Sequence, residues 1–203
     1  GQFSDVLLAS FSGAGSLNFE GDGLTILAAD NSYAGDTNIL EGTVRVTGTL
    51  SDTTAISVAE GAAYEVANSD EVGSIAGAGN IVIKKNQRLT AGGLGTNTEF
   101  SGEISGDGGF NKVGVGVASF SGNNTYTGST NIKAGTLRIT GSLSDATAVS
   151  VSDGASYEVA NSDEVGSIAG AGSIRISDGQ ILTAGGLDTD TTVSGVISGD
   201  GGL

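Results

Sequence analysis

The sequence predicts an all-β chain wound as a parallel β-helix, a β-solenoid of about ten coils with no helices of note. Three observations carry this expectation. The composition is rich in glycine and free of proline, a long internal repeat runs through the chain, and short apolar alternations are separated by turn residues.

The 203 residues include 36 glycines but no proline, tryptophan, cysteine, methionine or histidine, and aromatics make up only 5 %. Such a chain cannot build one thick core, so it must spread its apolar residues over many thin layers. The glycines lack the collagen triplet, and frequent Val, Ile and Leu oppose a disordered linker. The net charge of −15 repels phosphate backbones and anionic headgroups, so no nucleic-acid partner is expected. No apolar run reaches the roughly 20 residues that span a bilayer as a helix, and no signal peptide is recognisable, so an export signal or anchor is expected outside this chain.

Self-similarity organises the chain. Tyr64 to Gly79, YEVANSDEVGSIAGAG, recurs unchanged at Tyr157 to Gly172, an offset of 93 residues. The same offset aligns Tyr33 with Tyr126, Gly42 with Gly135 and Thr90-Ala91-Gly92-Gly93-Leu94 with Thr183 to Leu187. The units expected are 13–105 and 106–198, with 1–12 ending a preceding unit and 199–203 opening a third. Neither terminus resembles a solenoid cap, which reads as an excerpt from a longer array.

Within a unit, Thr43-Val44-Arg45-Val46-Thr47, Ile56-Ser57-Val58, Tyr64-Glu65-Val66 and Ile81-Val82-Ile83 alternate with period two and predict short strands. Glu41-Gly42, Glu60-Gly61, Asp107-Gly108, Asp153-Gly154 and Asp178-Gly179 predict turns between them. Ser74-Ile75-Ala76-Gly77-Ala78-Gly79 reads as tight corners, and aligned Ser, Thr and Asn can form ladders between coils. Strands this short need stacking to bury a continuous inner face; at about 4.8 Å per coil the rod would be on the order of 50 Å long. The competing architecture, an array of Ig-sized β-sandwiches, fits poorly with the absence of proline, a core tryptophan and long strands.

Ser121-Gly122-Asn123-Asn124-Thr125-Tyr126-Thr127-Gly128-Ser129-Thr130-Asn131-Ile132-Lys133-Ala134-Gly135-Thr136-Leu137-Arg138-Ile139 resembles the passenger-associated repeat of bacterial autotransporters, roughly SGxNTYTGxTxIxxGTLxV. The preceding Gly106-Asp107-Gly108-Gly109-Phe110-Asn111-Lys112-Val113-Gly114-Val115-Gly116 is similar to the GxGxLxKxGxG segment of that family. The earlier copy, Ala29 to Ile39, keeps the Asn, Tyr, Gly and Thr, but Phe19 stands where the lysine would be. The resemblance implies a right-handed parallel β-helix, exported and displayed at a Gram-negative surface through a C-terminal outer-membrane barrel outside this chain. It implies an extracellular stalk or passenger segment of an adhesin, with host or neighbouring-cell glycans or proteins as partners. Unpaired sheet edges would offer end-to-end or edge self-association.

Catalysis is not expected. Without histidine or cysteine, Ser-His-Asp, Cys-His and the usual zinc sites are excluded. Carboxylate-based β-helix enzymes acting on carbohydrate are the alternative, but their sites are built once. Here Asp70-Glu71 reappears as Asp163-Glu164, Glu65 as Glu158 and Arg45 as Arg138, which suits a repeated surface or corner. The Asp-Glu pairs read as solvated turns. Lys84-Lys85 with Arg88 is a basic cluster found in one copy only, read as a solvated loop. The glycine turns lack a P-loop lysine, and the Asp-Gly pairs lack a nine-residue calcium repeat. Tyr33, Tyr64, Tyr126 and Tyr157 read as packing residues, with carbohydrate stacking as the second use. An ice-binding solenoid would need Thr on every coil, and Thr189, Thr191 and Thr192 do not recur. No catalytic, cofactor-binding or metal-binding residue is therefore assigned, and no cofactor is expected; the ligand-binding residues stay unassigned.

Overall fold

The computed structural model describes residues 4–203; the first three residues of the expected 1–12 segment lie outside the described residues. Twenty-four strands of two to four residues are described, with no helix among the described residues. All named strand pairings are parallel. The expected strands appear at Thr43–Val46, Ala55–Val58, Ala63–Val66 and Asn80–Ile83. The Ser74 to Gly79 stretch divides: Ser74–Gly77 is a strand, and the corner begins where Gly77 turns to φ 117°.

Successive coils stack on three faces. The first face begins with Ser4–Leu7, Leu24–Leu27, Thr43–Val46, Ala63–Val66, Asn80–Ile83 and Ile104–Ser105. It continues through the corner at Asn124, whose side chain meets the Ile104 amide, to Asp163–Val165 and Leu182–Ala184. The second face holds Asp70–Val72, Arg88–Ala91, Gly109–Lys112, Thr130–Ile132, Ala148–Val151 and Ser167–Gly170. The third is a ten-stranded sheet from Leu17–Phe19 to Ile197–Ser198, one strand per coil, so the rod has about ten coils.

Alternation along each strand decides what is buried. On the first face Val44, Tyr64, Ile81 and Ile104 stack in register and are essentially inaccessible, while Arg45 and Glu65 point outward. A second inward column, Val46, Val66 and Ile83, is buried beside it, which gives a narrow continuous core with no thick centre. The hydrophobic core is accordingly one cluster running from Leu27 to Leu182.

The 93-residue repeat does not close on itself. Thr25 stacks on Val44, Val44 on Tyr64, Tyr64 on Ile81 and Ile81 on Ile104, which is four whole coils along the first face. From Ile104 the chain crosses the second face at Gly109–Lys112 and reaches the third at Val117–Phe120, where Ala118 is the counterpart of Thr25. One repeat therefore spans four and two-thirds coils. Equivalent residues 93 positions apart occupy different faces: Thr43–Val46 lies on the first, Thr136–Ile139 on the third.

Candidate functional site

The residues that the sequence singles out fall into an inner set and an outer set. The inner set begins at Asn31 and Asn124, both buried at a corner where the backbone leaves the sheet ladder. Oδ1 of Asn31 accepts the Phe11 amide at 2.9 Å, and Nδ2 donates to the carbonyls of Ala29 at 2.8 Å and Thr49 at 3.0 Å. Asn124 does the same with the Ile104 amide at 3.1 Å and the Gly122 and Ser142 carbonyls at 3.0 Å. One amide thus bridges three successive coils, supplying an acceptor for one backbone N–H and donors for two carbonyls at a corner outside the ladder.

Two residues on, Tyr33 and Tyr126 point into the rod. The Tyr33 hydroxyl bonds Thr37 Oγ1, which reaches Thr54 Oγ1 at 2.9 Å, and that hydroxyl donates to the Gly35 carbonyl at 2.8 Å. The chain Tyr126, Thr130, Thr147 and Gly128 repeats this at 2.6, 3.1 and 2.6 Å. All four threonines are fully buried, so each hydroxyl must find a partner inside. The glycine of the motif is needed for space: a Cβ on Gly35 or Gly128 would collide with the carbonyl of Gly15 or Gly108 on the coil below. Gly42 and Gly135 serve conformation as well, with φ of 66° and 65°.

Asp70 and Asp163 correct the solvated-turn expectation. Each opens a strand, Asp70–Val72 and Asp163–Val165, whose alternation sends the aspartate inward and Glu71 or Glu164 outward. Asp70 accepts the Leu50 amide on both carboxylate oxygens at 3.1 and 3.2 Å and the Tyr64 hydroxyl at 3.0 Å. Asp163 accepts the Leu143 amide at 3.2 and 3.1 Å and the Tyr157 hydroxyl at 3.5 Å. Burial pushes both carboxyls up to about 6, against the hydrogen bonds from the leucine amide and the tyrosine, which pull the other way. Burial likewise raises the Tyr64 and Tyr157 hydroxyls well above the ordinary phenol range, which keeps them as donors.

Lys112, the lysine of the segment that precedes the repeat motif, is buried, which nothing local in the sequence indicates. It is 1 % exposed, and Nζ donates to the carbonyls of Val113 at 2.7 Å, Gly114 at 2.8 Å and Ala134 at 3.3 Å. It seals a corner from inside, and burial lowers its amine to about 8. No carboxylate pairs with it among the described residues.

The outer set is sparse. The basic cluster is less solvated than expected: Lys84 Nζ stands 2.7 Å from Glu65 Oε1, an ion-pair approach without hydrogen-bond alignment, while Arg45 Nε donates to Oε2 at 2.9 Å. Burial would raise the Glu65 carboxyl, and Lys84 and Arg45 together overcome it and hold it below its usual value. Arg88 reaches across two coils to Asn111 Oδ1 and Ser129 Oγ, each at 3.1 Å. Lys85 is exposed. In the second copy Ser177 and Ile181 replace Lys84 and Arg88, and Arg138 lies 3.9 Å from Glu158 with both partly exposed.

The expected ladders are present, with Asn38 donating to Asn18 at 2.8 Å and Asn131 to Asn111 at 2.9 Å. The four tyrosines are buried, which removes them from carbohydrate stacking. The outward column of the second face reads Glu71, Thr90, Asn111, Asn131, Ser150 and Ala169, with no threonine array. An open groove is lined by Ser69, Asp70, Glu71, Asn86, Arg88 and Thr90. Asp70 and Glu71 are consecutive in a strand and face opposite sides, so their carboxyls do not converge as a catalytic pair. The described residues contain no cluster of three or more potential metal ligands.

Comparison with known proteins fits these corners. The passenger-associated-transport-repeat family matches residues 12–46 and 110–139, the two segments that contain Asn31 to Thr37 and Asn124 to Thr130. Over 143 residues, 66 % of this chain, it is 31 % identical to the adhesin BmaC autotransporter of Brucella suis biovar 1 (strain 1330). The chain spans only 4 % of that relative's length. No solved structure matches it. The motif residues, the coils they clamp and these similarities agree: the chain carries two passenger-associated transport repeats and is similar to an autotransporter adhesin.

Proposed function

We propose that this chain is a shaft segment of a surface-displayed autotransporter adhesin, outside a Gram-negative cell, that presents binding regions and performs no catalysis. The observation that carries the reading is the use of the repeat motif. Asn31 and Asn124, Tyr33 and Tyr126, and their buried threonines spend their hydrogen bonds within the rod, on their own and neighbouring coils, rather than on a substrate. The rotation between copies supports it too. Because the repeat advances by four and two-thirds coils, a shaft built this way shows the same outward residues to different sides in turn. Its acidic surface keeps neighbouring shafts apart in solution. Attachment to the outer membrane would come from a barrel elsewhere in the full protein, and its targets would be glycans or proteins of a host or neighbouring cell.

The test is a glycan and matrix-protein binding screen on this chain beside a longer passenger. Binding by the longer passenger alone supports a shaft, and binding by this chain moves recognition onto its faces. Turnover of an acidic or neutral polysaccharide by this chain would overturn the non-catalytic reading.

A further inference from the structure

The two buried aspartates have a feature that the shaft role does not use. Asp70 and Asp163 are only 5 % and 8 % exposed, yet neither meets a lysine or arginine. Their partners are neutral: a leucine amide from the coil before and a tyrosine hydroxyl. The other charges nearby are Asp52 and Asp145, both of the same sign, and Glu71 and Glu164 on the aspartates' own strands. Arg88 borders the groove over Asp70 but turns its guanidinium to Asn111 and Ser129, and its counterpart over Asp163 is Ile181. A desolvated carboxylate without a counter-ion is held in its costly form. A protonated carboxyl keeps its acceptor for the leucine amide, gains a donor and loses the charge.

We propose that the Leu50–Asp70–Tyr64 and Leu143–Asp163–Tyr157 contacts are two clasps that tighten the solenoid when its surroundings turn mildly acidic. Each clasp joins consecutive coils at a corner where the sheet ladder is interrupted. The direction follows from linkage. Both carboxyls titrate higher in the folded rod than unfolded, so the folded state binds more protons between the two values. Stability is then greatest below the unfolded value of 3.8 and is lost as the pH rises through about 6. Between pH 7.5 and pH 5 each clasp is expected to shift the folding equilibrium about tenfold toward the folded rod. Acidification is usually expected to weaken a protein whose carboxylates are ion-paired, and Glu65, held between Arg45 and Lys84, follows that rule.

The experiment is urea unfolding of this chain and of D70N/D163N at pH 7.5 and pH 5, with carboxyl ¹³C titration of the unmodified chain beside it. The unmodified chain should unfold at higher urea at pH 5, and D70N/D163N should lose most of that gain. Two aspartate carboxyls should titrate near 6. An equal gain in both proteins would assign the effect to relief of overall negative charge and overturn the proposal. So would titration of every aspartate near 4, a result that can be read even if D70N/D163N does not fold.

Discussion

The two copies of the repeat use identical corners on different faces and differ mainly in how their charges are handled. In 13–105 the lysine and arginine side chains lie outside, where Arg45 and Lys84 clamp Glu65 and Arg88 spans two coils. In 106–198 the outer pair is a long Arg138–Glu158 contact, and a lysine has moved inside: Lys112 seals a corner where Phe19 sits in the earlier copy. The inner asparagine, tyrosine, threonine and aspartate contacts are the same in both. What the copies share is therefore what closes a coil, and what they vary is what staples coils together afterwards.

That comparison can be broken first at the tyrosines. Tyr126→Ala and Tyr33→Ala each remove a buried ring and take one hydrogen bond from a buried threonine hydroxyl, at a cost of about 3–5 kcal/mol apiece. Urea midpoints for the two variants should fall together. A large loss at one and a negligible loss at the other would show that the corners are not equivalent. Asn124→Ala and Asn31→Ala come next. Each leaves the Phe11 or Ile104 amide without its side-chain acceptor and takes a donor from two carbonyls, for about 1–3 kcal/mol, and exchange at that amide should accelerate.

Lys112→Met probes the inner lysine. Three carbonyls lose their donor, costing about 1–2 kcal/mol at neutral pH. The charged amine is the form that burial disfavours, so its penalty holds below about 8 and fades as the pH rises toward the unfolded value of 10.5. The parent chain should gain stability from pH 8 to pH 10, and Lys112→Met should stay flat. The smallest effect separates the outer pairs. Glu65→Gln should cost about 1 kcal/mol, because two cations lose a nearly buried partner, and Glu158→Gln less than about 0.5 kcal/mol. Equal losses would mean that burial of Glu65 confers no advantage.

Much of the architecture was legible because its signals are local. Period-two runs such as Thr43 to Val46 became strands, Glu41-Gly42 and Asp153-Gly154 became turns with φ of 66° and 77° at the glycine, and the expected count of about ten coils matches the ten-stranded third face. The motif at Asn124 to Thr130 could be recognised, although its work could not. Its residue types are those of a polar surface loop, and only stacking shows that they face inward.

Asp70-Glu71 shows why the rest was hidden. Two adjacent acids bounded by Ser69 and Val72 fit an exposed turn equally well; a strand of three residues puts one inside and the other out. Lys84 and Arg88 looked like free loop charges because Glu65, Asn111 and Ser129 lie one or two coils away and far along the chain. By itself the sequence determined that the chain is a stack of short parallel strands with a 93-residue repeat, since alternation, glycine placement and self-similarity can all be read along the chain without knowing which strands pair. Only the tertiary structure decided that the repeat covers four and two-thirds coils. That fraction depends on how many residues each corner consumes before the next strand can pair, and backbone hydrogen bonding between coils sets that number.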